Sequence, residues 1–170
     1  ARITLADDPR FVFARRIVTR AADHTEDHDS VDTVTFREIV SGGGFALWWE
    51  AHDLKYGLPI ALMGELAQDR VVIANVSRAM LPTIRKTFAG SCVIQITASE
   101  NTLRQRLAGR GRETAAARES RLARARMMSA PVDPDITIAN DGDIEDAIRC
   151  FVEALRAACP GEVETANACA

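Results

Sequence analysis

The chain is predicted to adopt an α/β fold, a three-layer arrangement in which helices cover both faces of a mainly parallel sheet. Three observations predict it. The runs Val71 to Val76 and Cys92 to Thr97 are apolar almost throughout, as strands buried on both faces are. Each is followed by a stretch that opens on a capping residue and reads as a helix, which gives the strand–helix rhythm of parallel sheets. The length of 170 residues, with 47% hydrophobic and 26% charged, suits one compact domain with an ordinary core.

The elements follow in order. Phe11 to Thr19 reads as one strand, and the polar, acidic stretch from Arg20 to Asp32 as a loop. Asp32 or Thr33 caps a short helix through Val40, which Gly42-Gly43-Gly44 ends. Phe45 to Ala51 is aromatic and apolar and reads as a strand. Tyr56-Gly57-Leu58-Pro59 reads as a turn, with Pro59 at the start of a helix running to about Gln68. Ser77 caps a helix to about Phe88, bent or delayed by Pro82. Ser99 caps a helix to Arg110, and another runs from about Glu113 to Met128. Ile136 to Ala139 is a third short strand. Asp143 caps a last helix with Ile144, Ala147, Ile148, Phe151, Val152 and Leu155 on one stripe. Residues 1–158 are expected to form the domain and residues 159–170 a flexible tail.

Several classes are set aside. No apolar run is long enough for a membrane span, and the first residues lack the pattern of a signal peptide. A formal net charge of −3 argues against a dedicated nucleic-acid binder. Cys92, Cys150, Cys159 and Cys169 form no CxxC pair. Cys92 and Cys150 read as small buried thiols, which suits a reduced, cytoplasmic setting without disulfides or structural zinc. His24 and His28 have a spacing that could hold a metal on a helix, but their surroundings read as loop, so no metal ligands are expected. His52 reads as a surface or substrate-loop residue, and Trp48 and Trp49 as core and rim. No Ser-His-Asp, Cys-His or GxSxG arrangement is present.

The arginines are the residues with chemistry to offer. Alternation along a strand puts Arg16 and Arg20 on one face and Arg15 on the other. Their rigid forks match phosphate oxygens, although charge on an exposed edge strand would also protect it from pairing. Arg106 and Arg110 lie four apart on one helical face, and Arg110-Gly111-Arg112 leaves that helix through a glycine. This suits a lid closing over transferring phosphates; a solvated basic helix, continued by Arg118, Arg121, Arg124 and Arg126, is the plainer alternative. Asn75, Ser77 and Arg78 end a buried strand, where ligands bind in such folds, and Ser77 there also serves as a helix cap.

These motifs, in this order, resemble the guanylate-kinase family of nucleotide-dependent kinases. Phe13-Ala14-Arg15-Arg16-Ile17-Val18-Thr19-Arg20 resembles its acceptor-phosphate strand. Phe36, Gly44-Phe45-Ala46-Leu47-Trp48 and Tyr56-Gly57-Leu58-Pro59 resemble the rest of its acceptor region. Arg106-Leu107-Ala108-Gly109-Arg110-Gly111 resembles its lid, and Asn140-Asp141-Gly142 its late loop near the adenine. The resemblance implies a P-loop kinase fold, with a substrate-binding part at about 15–60 and a lid at about 104–126. Within the family, Glu26-Asp27-His28, Trp49 to His52, Tyr56-Gly57 and Asn75-Val76-Ser77-Arg78 look like the ribose 1,5-bisphosphate phosphokinases of phosphonate breakdown. Leu47 stands where guanylate kinases carry an acidic residue that holds guanine.

The resemblance implies transfer of a phosphoryl group from ATP, with Mg2+, to ribose 1,5-bisphosphate, giving 5-phosphoribosyl 1-diphosphate. Arg20 and Tyr56 would hold the acceptor. Arg16, Asn75, Ser77 and Arg78 would meet the sugar and its second phosphate. Arg106 and Arg110 would clamp the transferring group, and Asn140 and Asp141 would border the nucleotide. The alternatives are another monophosphate kinase, such as a guanylate kinase, or a non-catalytic guanylate-kinase-like binding module. GxxxxGK[ST] does not occur in the sequence, and Ala1 to Arg10 resembles the end of the helix that follows that loop. The chain is therefore expected to lack the first strand and the P-loop, to be impaired as a kinase, and to leave a central strand position unfilled.

Overall fold

The computed structural model describes residues 1–20, 27–109 and 133–158. They fall into two compact units, one from Arg2 to Met80 and one from Leu81 onward. The first contains β1 (Phe11–Phe13), β2 (Arg16–Val18), β3 (His28–Ser30), α1 (Thr33–Ser41), β4 (Phe45–Ala51), β5 (Leu54–Pro59), α2 (Leu62–Leu66), β6 (Val71–Ile73) and a 3-10 turn at Arg78–Met80. β1 and β6 form a parallel pair with Phe11 beside Val71 and Phe13 beside Ile73. β3, β2, β5 and β4 form a separate four-stranded sheet in that order.

Phe11 to Thr19 is thus two strands in two sheets. The Ala14 N–H still donates to the Ile73 carbonyl at 2.8 Å. The chain then leaves β6, and β2 pairs antiparallel with β5 and parallel with β3. β3 lies inside the expected loop. His-Asp-Ser has no apolar alternation; backbone pairing with β2 and the burial of His28, 5% exposed, make it a strand.

Local chemistry sets α1. The Asp32 carboxylate accepts from the Thr35 N–H at 2.7 Å, and that bond holds its pKa below the usual carboxylate range. The helix ends at Gly42, and Gly43 turns the chain at φ 68°. Phe36, fully buried, points from α1 onto the sheet, with its ring 4.7 Å from that of Phe45 and edge-on to Trp48 at 6.4 Å.

Tyr56 to Pro59 belongs to β5 and is not the expected turn. The turn is His52-Asp53, where both residues take positive φ, 53° and 61°, as a two-residue type I′ hairpin loop requires. This fixes the register: Glu50 opposite Lys55, Trp49 opposite Tyr56, Trp48 opposite Gly57 and Leu47 opposite Leu58. Gly57 sits within the strand because the Phe45 ring lies where a side chain would start. A Cβ there would come within 2.2 Å of that ring. α2 is shorter than the helix expected to Gln68, and the chain leaves it through Asp69 at φ 56°.

The second unit contains α3 (Leu81–Thr87), β7 (Ile94–Thr97), α4 (Glu100–Gly109), β8 (Ile136–Ala139) and α5 (Ile144–Ala158). β7 and β8 pair in parallel, and α5 packs on β8 with Ile138, Val152 and Leu155 buried. Ile144 begins the expected apolar stripe but is exposed. Cys92 and Cys150 are also exposed, against expectation: β7 starts only at Ile94, and Cys150 lies off the buried stripe of α5. Asp135 ties the unit together, accepting from the Val93 N–H at 2.6 Å and from Arg85 Nη2 at 3.0 Å. Among the described residues β6 and β7 each have one strand partner, and no helix is long and apolar enough to cross a membrane. The expected helix from Glu113 to Met128, Arg110, most of the lid, His24 and the tail lie outside the described residues.

Two outcomes follow. Gly57→Ala forces Phe45 off its seat and destabilises by about 1–3 kcal/mol in urea unfolding; an unchanged midpoint would contradict this packing. The Val93 N–H, then Arg85, lower the pKa of Asp135 in the folded chain. Its stabilisation is therefore fully present above the unfolded value near 3.8 and is lost as pH falls through the folded value. Asp135→Asn should melt below wild type at neutral pH, and the gap should close in acid; a pH-independent gap would refute that linkage.

Candidate active site

Two clusters carry the expected site residues, one in each unit. In the first, the hairpin register sorts side chains between the faces of the sheet. Trp48, Lys55 and Ile17 share the face covered by α1, while Arg16, Val18, Tyr56, Leu58, Leu47 and Trp49 share the other. The Arg16 guanidinium lies 5.6 Å from the centre of the Tyr56 ring, and Nη1 donates to the Asn75 carbonyl at 3.4 Å. One side chain thus connects the four-stranded sheet to the carboxyl end of β6, where ligands bind in α/β folds.

Thr19 continues β2. Its N–H donates to the Lys55 carbonyl at 3.1 Å, and its hydroxyl accepts from the Lys55 N–H at 2.9 Å. Arg20 follows directly and is half-buried. Asn75 and Arg78 are exposed and Ser77 half-buried; the Ser77 carbonyl accepts the Met80 N–H that closes the 3-10 turn. Arg15 points the other way, with Nε 2.9 Å from Asp29 and 3.4 Å from Asp27, and so takes no part in this cluster. His52 sits at the exposed tip of the hairpin.

In the second cluster, the loop after β8 crosses the first turns of α4. Arg106 Nη2 donates to Asn140 Oδ1 at 3.0 Å. The Asp141 carboxylate accepts from the Ser99 N–H at 2.6 Å. That bond, the Thr102 and Ser99 hydroxyls and Arg106 together lower its pKa. Asp141 therefore helps cap α4, and Asn140 aims Arg106. That guanidinium thus has the Asn140 carboxamide as its hydrogen-bond acceptor and the Asp141 carboxylate nearby. Arg104, by contrast, pairs with Glu100 at 2.5 Å. Arg110 lies outside the described residues.

Sequence reasoning missed the environment of Tyr56. Trp49 stacks on it, with ring centres 5.5 Å apart and planes 9° apart, and is 6% exposed, whereas Trp48 on the other face is 43% exposed. The signal was available only through the turn: a two-residue loop at His52-Asp53 makes residues 49 and 56 direct partners.

No protein-family model matches the chain. The chain is 44% identical over 156 residues to the ribose 1,5-bisphosphate phosphokinase PhnN of Brucella melitensis, covering 91% of this chain and 81% of that protein. It is 41% identical over 157 residues to the protein of the same name from Methylobacterium radiotolerans, covering 92% and 87%. Among solved structures, the guanylate kinase from Anaplasma phagocytophilum matches with a TM-score of 0.68 at 22% identity, over 94% of this chain and 82% of that one. The fold is therefore guanylate-kinase-like, and the chain belongs to the ribose 1,5-bisphosphate phosphokinase family of phosphotransferases.

Proposed function

We propose that this protein transfers the γ-phosphoryl group of ATP to the 1-phosphate of ribose 1,5-bisphosphate, giving 5-phosphoribosyl 1-diphosphate and ADP, as a step of phosphonate breakdown in the cytoplasm. The observation that carries this reading is the seat of Arg16, across the Tyr56 ring and on the Asn75 carbonyl, within a chain 44% identical to a protein of that name. Leu47 directly opposite Leu58 on the same face supports an acceptor without a base. Both are buried, and Leu47 offers no carboxylate to accept from purine N–H groups.

The nucleophile is an oxygen of the 1-phosphate, whose second pKa, like that of other phosphate monoesters, is about 6, so no strong base is needed at neutral pH. That oxygen bonds to the γ-phosphorus, the bond to the β–γ bridging oxygen breaks, and ADP leaves. Catalysis is then positioning and charge stabilisation. Arg16, Arg20 and Tyr56 hold the acceptor, with Asn75, Ser77 and Arg78 beside its sugar and second phosphate. Arg106 and Arg110 clamp the transferring group, and Asn140 and Asp141 border the nucleotide. A magnesium ion accompanying ATP would neutralise charge on the transferring phosphates.

Calorimetric titration with ribose 1,5-bisphosphate and with GMP tests the acceptor without depending on turnover. The sugar bisphosphate should bind tighter, and tighter binding of GMP would overturn the reading. Arg16→Ala should weaken sugar bisphosphate binding by about tenfold or more. Arg106→Ala should leave that affinity near wild type and, in any form of the protein that turns over, lower kcat by roughly a hundredfold.

A further inference from the structure

We propose that Trp49 is a positioning residue for the acceptor site, acting through Tyr56; this rests on the reading that Tyr56 and Arg16 receive the acceptor. Trp49 is the direct cross-strand partner of Tyr56. Its indole lies nearly parallel to the phenol ring, 9° apart in plane and 5.5 Å between centres. At 6% exposure it is too buried to meet a ligand itself. In the strand order β2-β5-β4 the cross-strand row is Val18, Tyr56 and Trp49, and Arg16, two residues before Val18 on the same face, reaches diagonally to the Tyr56 ring from the side away from Trp49. A tyrosine ring turns about two torsions, the second of them broad. Stacking against a buried indole fixes the plane of the ring and restricts the first torsion, which sets where the hydroxyl oxygen lies. The Arg16 guanidinium, 5.6 Å from the same ring, is then held over a surface that is itself fixed. Freedom that would otherwise be lost on binding is already removed, which strengthens affinity without any new contact to the ligand.

A merely structural tryptophan would only fill space, and the test separates the two roles. Trp49→Phe keeps a flat ring; Trp49→Met fills similar volume without one. Ribose 1,5-bisphosphate is titrated into the chain and its variants. Trp49→Phe should bind close to wild type, and Trp49→Met should bind about three- to tenfold more weakly. With Tyr56→Leu in place, the Phe and Met variants should bind alike. Equal weakening by Phe and Met, or a Met defect that persists with Tyr56→Leu, overturns the positioning role and leaves the acceptor reading standing. Absence of binding by wild type sinks the acceptor reading, and this proposal with it. Near-ultraviolet circular dichroism of wild type supplies a readout that needs no variant to fold: ligand should leave the aromatic signal unchanged, and a large change would mean that the Trp49–Tyr56 stack forms or shifts only on binding.

Discussion

The Phe45 ring occupies the space that a side chain on residue 57 would need, and much of the first unit depends on that contact. Because residue 57 is glycine, β5 runs flat beneath Phe45. Phe36 of α1 can then close over Phe45 and the edge of Trp48. One face of the hairpin is thereby committed to helix packing. The two-residue turn at His52-Asp53 sets the same register from the other end. With both ends pinned, the opposite face can only present Leu47, Trp49, Tyr56 and Leu58, and a one-residue slip would send all four to the helix side.

That face sets the Arg16 guanidinium and the Tyr56 ring beside apolar side chains. Phosphoryl transfer asks little covalent chemistry of a protein and much positioning of charge. The arginines of this chain divide accordingly. Arg15, Arg85 and Arg104 are paired with carboxylates in this fold, and such exposed pairs add little stability. Arg106 is oriented by a carboxamide, and Arg16 lies on an aromatic ring and a backbone carbonyl. Contacts of this kind fix where a guanidinium points. In the second unit the same loop that contacts Arg106 also caps α4 through Asp141, so the start of α4 and the strand-end loop are built as one piece.

Elements governed by local chemistry were legible in the sequence. Asp32, Gly43 and Ser99 acted as caps where their types suggested, and β4 and β8 kept their expected bounds. The misreadings arose where a distant contact decides. Gly57 and Pro59 look like turn residues, yet Gly57 is there for Phe45, twelve positions earlier in the chain. His28-Asp29-Ser30 lacks a strand pattern because backbone pairing to β2 makes the strand. Phe11 to Thr19 carries β-forming residues on both sides of Arg15-Arg16, so it reads as one strand, although the chain changes sheet after Ala14. At the site, the resemblance singled out Arg16, Tyr56, Arg106 and Asn140, and the fold brings Arg16 to Tyr56 and Arg106 to Asn140. The role of Trp49 depended on a register that no motif carries.

The central claim is that a sugar carrying two phosphates and no base docks on the Arg16–Tyr56 face. Phosphorus NMR of ribose 1,5-bisphosphate tests it most directly, because the 1- and 5-phosphates give separate resonances. On addition of the chain both should shift and broaden, and Arg16→Ala should diminish the response of at least one. Two unmoved resonances, beside a GMP phosphate that does shift under the same conditions, would contradict the account.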